Sequence, residues 1–475
     1  MQETENLKKL FFGWAGEEVA TINQLPLSGS ARKYFRLQSL NKSAIGVYNA
    51  DARENSAFLA FTRHFLSHRL AVPEIYATQE DEYIYLLQDL GNTTLYQMVA
   101  GREPGVSLTP EAGELYRRAI TELLKFQLVA GKDLDYSYCY PRQNFDRQSI
   151  MWDMQYFKYY FLKPNGIVFD EQLLEDDFAR LAGYLLKAPS DFFMFRDFQS
   201  RNIMLKDDKL YFIDYQGGRK GALQYDLASL LFQSKANLTP AFREEMLRHY
   251  LDELKKYASV DEEEFTRLYY AFVLVRLLQV AGAYGFRGYF EKKAHFLQSI
   301  PFVLKQMKWF NESIILPVSL PELEAVIKKM AQIRLDIPVL PNQDNLTVSV
   351  NSFSYKHGIP VDYSGNGGGF VFDCRSLPNP GRFQEYKSLT GKDKPVIEYL
   401  QGNPEVEYYL ENVFRIIDQS VKLYIERDFK NIQVSFGCTG GQHRSVYCAT
   451  RLTAHLLSSF PVNVVEKHFQ IETPD

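Results

Sequence analysis

The sequence predicts an α+β two-lobed fold, a small antiparallel lobe joined to a larger helical lobe, followed by a separate compact α/β domain. Three observations lead there. Residues 19–50 fall into short extended runs around the turn Ser28-Gly29-Ser30. From about 107 to 335 apolar residues recur at helical spacing, interrupted by one β-rich island at 192–218. From 346 onward strand-like and helix-like segments alternate, the order that builds an α/β layer.

VATINQLPLSGSARKYFRL and SAIGVYNA read as three strands. ENSAFLAFTRHFLSH (54–68) is the one helix expected in this lobe, with Phe58, Phe61 and Phe65 on one face. EYIYLLQDLGN (82–92) is a strand closed by a glycine, so the first lobe spans 1–92. AGELYRRAITELLKFQLV and FTRLYYAFVLVRLLQVAGAY are the clearest helices of the second lobe, 93–335. Arg276 and Gln279 break the apolar run 269–286, which reads as a buried helix and not a membrane span. The proline-bearing stretch 336–345 reads as a linker. The last domain, 346–475, runs strand LTVSVNSFSY, Gly-rich loop DYSGNGGG, strand FVFDCRSL, a helical zone at 395–427, strand IQVSFGC and helix RSVYCATRLTAHLL.

The 475 residues suit several domains. Apolar content of 46% and charged content of 24% are those of a globular protein. The 54 basic and 58 acidic residues give a net charge of −4, which argues against a surface that coats nucleic acid. The 4 cysteines have no metal-ligand spacing, and a reducing cytoplasm is the expected location.

The island carries the first chemistry. Asp197 is followed by Asn202 five positions on and by Asp214 at the end of the next strand. Arg-Asp-x-x-x-x-Asn and then Asp is the kinase arrangement of base and metal ligands. A hairpin, IML against LYFI across KDDK, would bring the three to one edge. Mg²⁺ takes oxygen ligands, here Asn202 and Asp214, while Asp197 would orient an acceptor hydroxyl and take its proton. The plainer reading is polar residues at hairpin ends.

Residues 1–335 resemble the aminoglycoside phosphotransferase/choline kinase family, most closely its N-acetylmuramate and N-acetylglucosamine anomeric kinases. SGSARKYFRL, YLLQDLGNTTL, FRDFQSRNIML and FIDYQGGRKGALQYDLASLL carry the resemblance. It implies a protein-kinase-like two-lobed fold with ATP and Mg²⁺ between the lobes, and a small-molecule sugar as acceptor. Gly29 and Ser30 would cover the ATP phosphates. Phe195 stands where the family has His, and Tyr48 or Asn49 where it has the ATP-binding Lys. Arg32, Lys33 and Arg36 are the candidate replacement cations. The aromatic segment 151–162 could stack an amino sugar or form an ordinary core helix.

FGCTGGQHRS (436–445) carries the second chemistry. A Gly-rich turn between a strand and a helix start directs N–H groups at an anion, with Arg444 as a clamp. Gly440 and Gly441 would permit the turn. Cys438-x₅-Arg444-Ser445 is also the spacing of cysteine phosphatases, with Asp362 or Asp373 as possible acids. Residues 346–475 resemble the RapZ C-terminal domain through SFSYKHGIP, VFDCRSLPNP, LTGKDKPV and GCTGGQHRSV. That resemblance implies an amino-sugar phosphate, glucosamine-6-phosphate, held by His357, Thr439, Gly440 and Arg444 with Cys438 and His443 nearby. It also implies small RNA, which the charge balance does not favour. The reading is therefore a sugar kinase with a phosphosugar-binding domain. A binding adapter without turnover and a C-terminal phosphatase are the alternatives.

Overall fold

The computed structural model describes residues 2–26, 32–102, 105–333, 345–364, 366 and 368–471. The turn at Gly29 and Ser30, and all but the last residue of the 336–345 linker, lie outside them. The chain divides into two compact units, one of Met1–Gly285 with Ser299–Arg334, the other of Leu335–Asp475 with Phe286–Gln298.

The first unit opens with helix α1 (Gln2–Ala15), which the sequence reading did not expect. Leu7 and Phe11, four residues apart, bury themselves against Phe35, Leu37, Ile84 and Leu86 of the sheet. That sheet is antiparallel, in the order β1 (Thr21–Gln24), β2 (Lys33–Gln38), β3 (Ser43–Tyr48), β5 (Ile84–Gln88), β4 (Ile75–Thr78). Helix α2 (Ala52–Ser67) starts at Asp51, whose carboxylate accepts from the N–H groups of Arg53 and Glu54. Its Phe58, Phe61 and Phe65 are buried, as their spacing required.

The helical part comprises α3 (Pro110–Leu128), α4 (Arg147–Phe157), α5 (Glu171–Leu185), α6 (Gln224–Leu231), α7 (Pro240–Leu254) and α8 (Glu262–Gly285). The short α9 (Ala294–Leu297) groups with the second unit, and α10 (Ile300–Ser313) and α11 (Pro321–Met330) return to the first. The island forms two ribbons: β6 (Phe192–Met194) with β9 (Arg219–Gly221), and β7 (Ile203–Lys206) with β8 (Lys209–Phe212). The β7–β8 hairpin turns at Asp207 and Asp208, as the alternation around KDDK predicted. Segment 151–162 is largely a core helix: Met154, Phe157, Phe161 and Leu162 are buried. Residues Glu262–Phe290 are long and apolar enough to cross a bilayer, but 72% of the most apolar window is buried inside the protein.

The second unit holds a four-stranded parallel sheet in the order β11 (Phe370–Asp373), β12 (Asn431–Cys438), β10 (Thr347–Ser354), β13 (Asn463–His468). Helices α12 (Lys394–Gln401), α13 (Pro404–Glu426) and α14 (Arg444–Ser459) complete it. The expected strands β10, β11 and β12 are present, and β13 is an addition. Ser354 pairs with Cys438, so the C-terminal ends of the two central strands share one edge. In open α/β sheets that edge is where ligands bind.

Candidate active site and a candidate anion cavity

The hairpin brings the island's three polar residues together. Asn202 Nδ2 donates to Asp214 Oδ2 at 3.0 Å and to the Asp197 carbonyl at 2.9 Å. With the amide nitrogen engaged twice, the amide oxygen is the atom left for a ligand. Gln216 Nε2 donates to the other Asp214 oxygen at 2.8 Å.

The two carboxylates differ in electrostatics. Burial alone would raise the Asp197 carboxyl, but the guanidiniums of Arg276, Arg196, Arg201 and Arg219 outweigh it and hold it below its ordinary value. Arg276 Nη2 lies 3.3 Å from Asp197 Oδ1. The Asp197 side chain keeps 44% exposure, so a substrate can reach it. Asp214 is pushed upward, first by burial and then by the charge of Asp197. A carboxylate under that load, beside an amide oxygen, is an all-oxygen donor set that suits a hard divalent cation, which would relieve it.

The loop is pinned from below. Asp226, at the start of α6, accepts from Phe195 N–H at 2.7 Å and Arg196 N–H at 2.9 Å. Burial pushes its carboxyl up to about 7. Arg196, at φ 77°, reaches Asp153 at 2.7 Å and the Tyr225 hydroxyl at 2.6 Å. Phe195, where the resembling family has His, packs edge-on to Phe126 and Phe198 in the core.

The three candidate cations separate. Arg32 is 2% exposed and its Nη2 lies 3.3 Å from Glu54 Oε1 on α2. Its Nε and Nη2 are buried without a hydrogen-bond partner, and its charge acts on Asp214. Lys33 instead pairs with Glu3 of α1 at 2.9 Å. Arg36 pairs with Asp89 at 2.9 Å and donates to Asn92 at 2.8 Å. Both point to partners outside the Asp197–Asp214 group. Asn49, at the place of the missing Lys, donates to Glu54 Oε2 at 2.8 Å. Arg276, Glu54 and Gln216 were not singled out as site residues; Arg276 showed only as a charge interrupting an apolar helix.

In the second unit, Cys438, Thr439, Gly440, His443 and Arg444 line a cavity of about 230 Å³ with Asn379, Gly381, Lys387 and Gln442. It opens at the N-terminus of α14, where N–H groups and helix dipole favour an anion. Gly441 takes φ 69°, a conformation that favours glycine. Gly440 has no such angle; a Cβ there would meet nothing within 4 Å. Gly441 N–H donates to Cys438 Sγ at 3.2 Å, and the Ser445 hydroxyl lies 3.1 Å from the same sulfur. Gly441 and Ser445 thus shape the loop without lining the cavity. Arg444 Nη1 donates to the carbonyls of Arg375 at 2.8 Å and Leu377 at 3.1 Å, which ties the facing loop to the helix. His443 Nε2 lies 2.8 Å from the Tyr386 carbonyl. His357 is exposed in the turn after β10 and does not line the cavity.

The two acids considered for a phosphatase are engaged elsewhere. Asp373 is paired with Arg375 at 2.6 Å, and Asp362 accepts from Ser364 and Gly368 N–H groups. The cavity lining holds no carboxylate. Asn379 lies within the motif VFDCRSLPNP but was not singled out as a site residue, and Lys387 comes from a stretch without periodicity or motif.

Comparison with known proteins fits both halves. Residues 21–262 match the phosphotransferase enzyme family. The chain belongs to that family. Residues 346–472 match the RapZ C-terminal domain. A nucleotide-binding protein of Thermotoga sp. (strain RQ2) is 41% identical over 134 residues, 28% of this chain and 46% of that protein. One of Acinetobacter baumannii is 37% identical over 131 residues, 28% of this chain and 44% of that protein. The chain therefore spans less than half the length of these relatives. Among solved structures, choline kinase LicA from Streptococcus pneumoniae has a TM-score of 0.41 at 14% identity, covering 64% of this chain and 98% of its own. Plasmodium vivax ethanolamine kinase has 0.43 at 11%, covering 60% and 82%. This phosphotransferase-family chain joins a unit of antiparallel sheet and helices to a separate parallel-sheet domain.

Proposed function

We propose that the first unit is an ATP-dependent sugar kinase acting on a hydroxyl of an N-acetylated amino sugar, and that the second unit binds an amino-sugar phosphate. The observation that carries the kinase reading is the meeting of Asp197, Asn202 and Asp214 at one hairpin edge, with Asp197 kept ionised by arginine. Asp197 accepts the acceptor's proton as its oxygen bonds to the γ-phosphorus and the bond to ADP breaks. Asn202 and Asp214 would hold Mg²⁺, which neutralises charge on the nucleotide phosphates. Arg32, whose buried Nε has no partner, takes the phosphate-binding role of the missing strand lysine.

The field around Asp197 favours a neutral or anionic acceptor. Four guanidiniums act on it, and a polycationic aminoglycoside would enter against them. In the second unit, Lys387, Arg444 and the start of α14 suit one phosphate group. Two cations are few for a polyanion, so phosphosugar is preferred to RNA.

The test is ATP-dependent phosphorylation of N-acetylmuramate, N-acetylglucosamine and an aminoglycoside side by side, with Asp197→Asn as control. Turnover on an acetylated sugar that the control loses supports the reading. No Asp197-dependent turnover on any of the three leaves the binding adapter as the better account.

A further inference from the structure

At the opposite end of α2 from Glu54, three side chains of metal-binding type meet. His64 and His68 are four residues apart and so share a helix face; their ring centroids are 4.6 Å apart. Asp133 follows the short turn Ala130–Lys132. One ligand atom from each residue lies within 4.8 Å of the others. His68 Nε2 is 3.1 Å from Asp133 Oδ1, and His64 Nε2 is 3.7 Å from the same oxygen. The Ala130 carbonyl oxygen lies 2.8 Å from the same His64 Nε2, within the same group of donor atoms.

The group is anchored before any ion arrives. A Cβ at Gly131 would stand 2.8 Å from Phe193 Cβ and 3.1 Å from the Phe126 carbonyl, so only glycine lets the turn seat there. The Tyr136 hydroxyl donates to the Gly131 carbonyl at 2.8 Å. The imidazoles are only 18% and 24% exposed, while Asp133 at 65% leaves a path from solvent. A simple ion pair needs one histidine. One cation would engage both imidazoles and the carboxylate at once.

We propose that His64, His68 and Asp133 bind a divalent ion of the zinc class, Zn²⁺, Ni²⁺ or Co²⁺. Two imidazoles and a carboxylate without a thiolate suit these ions. The ion ties the C-terminal end of α2 to the segment after α3. The helix that presents Glu54 to Arg32 is then held at both ends.

The full chain, stripped with chelator and kept in excess Mg²⁺, is titrated with Co²⁺ and its visible d–d absorption recorded. The expected result is a one-site spectrum displaced by Zn²⁺ and lost in both His68→Ala and Asp133→Asn. Zn²⁺ should raise the melting temperature of the wild type and of neither variant. A spectrum that persists in both variants, or a wild type with neither spectrum nor Zn²⁺-dependent melting shift, overturns the site. Neither readout depends on kinase turnover.

Discussion

At Asp197 two opposing effects meet: burial pushes its carboxyl up, and four arginines, Arg276 first, pull it down further. Arg276 itself is 3% exposed and holds Gln279 Oε1 at 2.5 Å, so its guanidinium is fixed in place. Replacing it as Arg276→Met removes the largest downward pull and leaves the burial. The Asp197 carboxyl then rises, and the base is protonated over a wider acidic range. The acidic limb of the kcat/KM profile should therefore move to higher pH, measured with saturating nucleotide and varied sugar. A profile that only falls in height would assign Arg276 a purely packing role. Arg32 gives a companion prediction. Arg32→Ala should raise the KM for ATP about tenfold or more, the scale of a lost charge-assisted hydrogen bond. Lys33→Ala, whose partner is Glu3, should leave that KM unchanged.

Among elements, α6 and the loop after β6 depend on one carboxylate. Asp226→Asn keeps the shape but turns one acceptor into a donor facing an N–H group. An orphaned buried N–H costs about 1–3 kcal/mol, so the urea midpoint should fall and kcat with it. An unchanged midpoint would mean that the loop is held by Arg196 and Asp153 alone. Much of this level was legible in the sequence. The β7–β8 hairpin showed in its alternation, and β12 and α14 showed around CTGGQHRS. Helix α1 was not, although Leu7 and Phe11 sit one turn apart, because its apolar face reads as such only against the sheet. β13 was missed because VVEKHF mixes polar and apolar residues; its His468 is fully buried against Ser352 Oγ at 2.8 Å. Of the cavity's added residues, Asn379 sat inside the quoted motif VFDCRSLPNP, whereas Lys387 comes from irregular backbone, where only three-dimensional closure reveals a partner.

For the whole molecule, one chain carries a phosphotransferase and a cavity proposed for a sugar phosphate. An amino-sugar phosphate at saturating level should change the kinase rate or the sugar KM, and Lys387→Ala should abolish that response. If neither parameter moves in the wild type, the two units work independently. Lys387→Ala should not alter the melting temperature, whereas Arg444→Ala should lower it, because Arg444 ties the loop after β11 to the start of α14.

The meeting of Arg32 with Glu54 bears on how such chains are sorted. On the proposed kinase reading the phosphate-binding cation is the residue just before β2, not one in the middle of β3. A census of kinases that demands a strand lysine would file this protein among the inactive pseudoenzymes. Searching for an arginine one strand earlier, matched with an acid near the start of the following helix, would keep it among the chains to be assayed for activity.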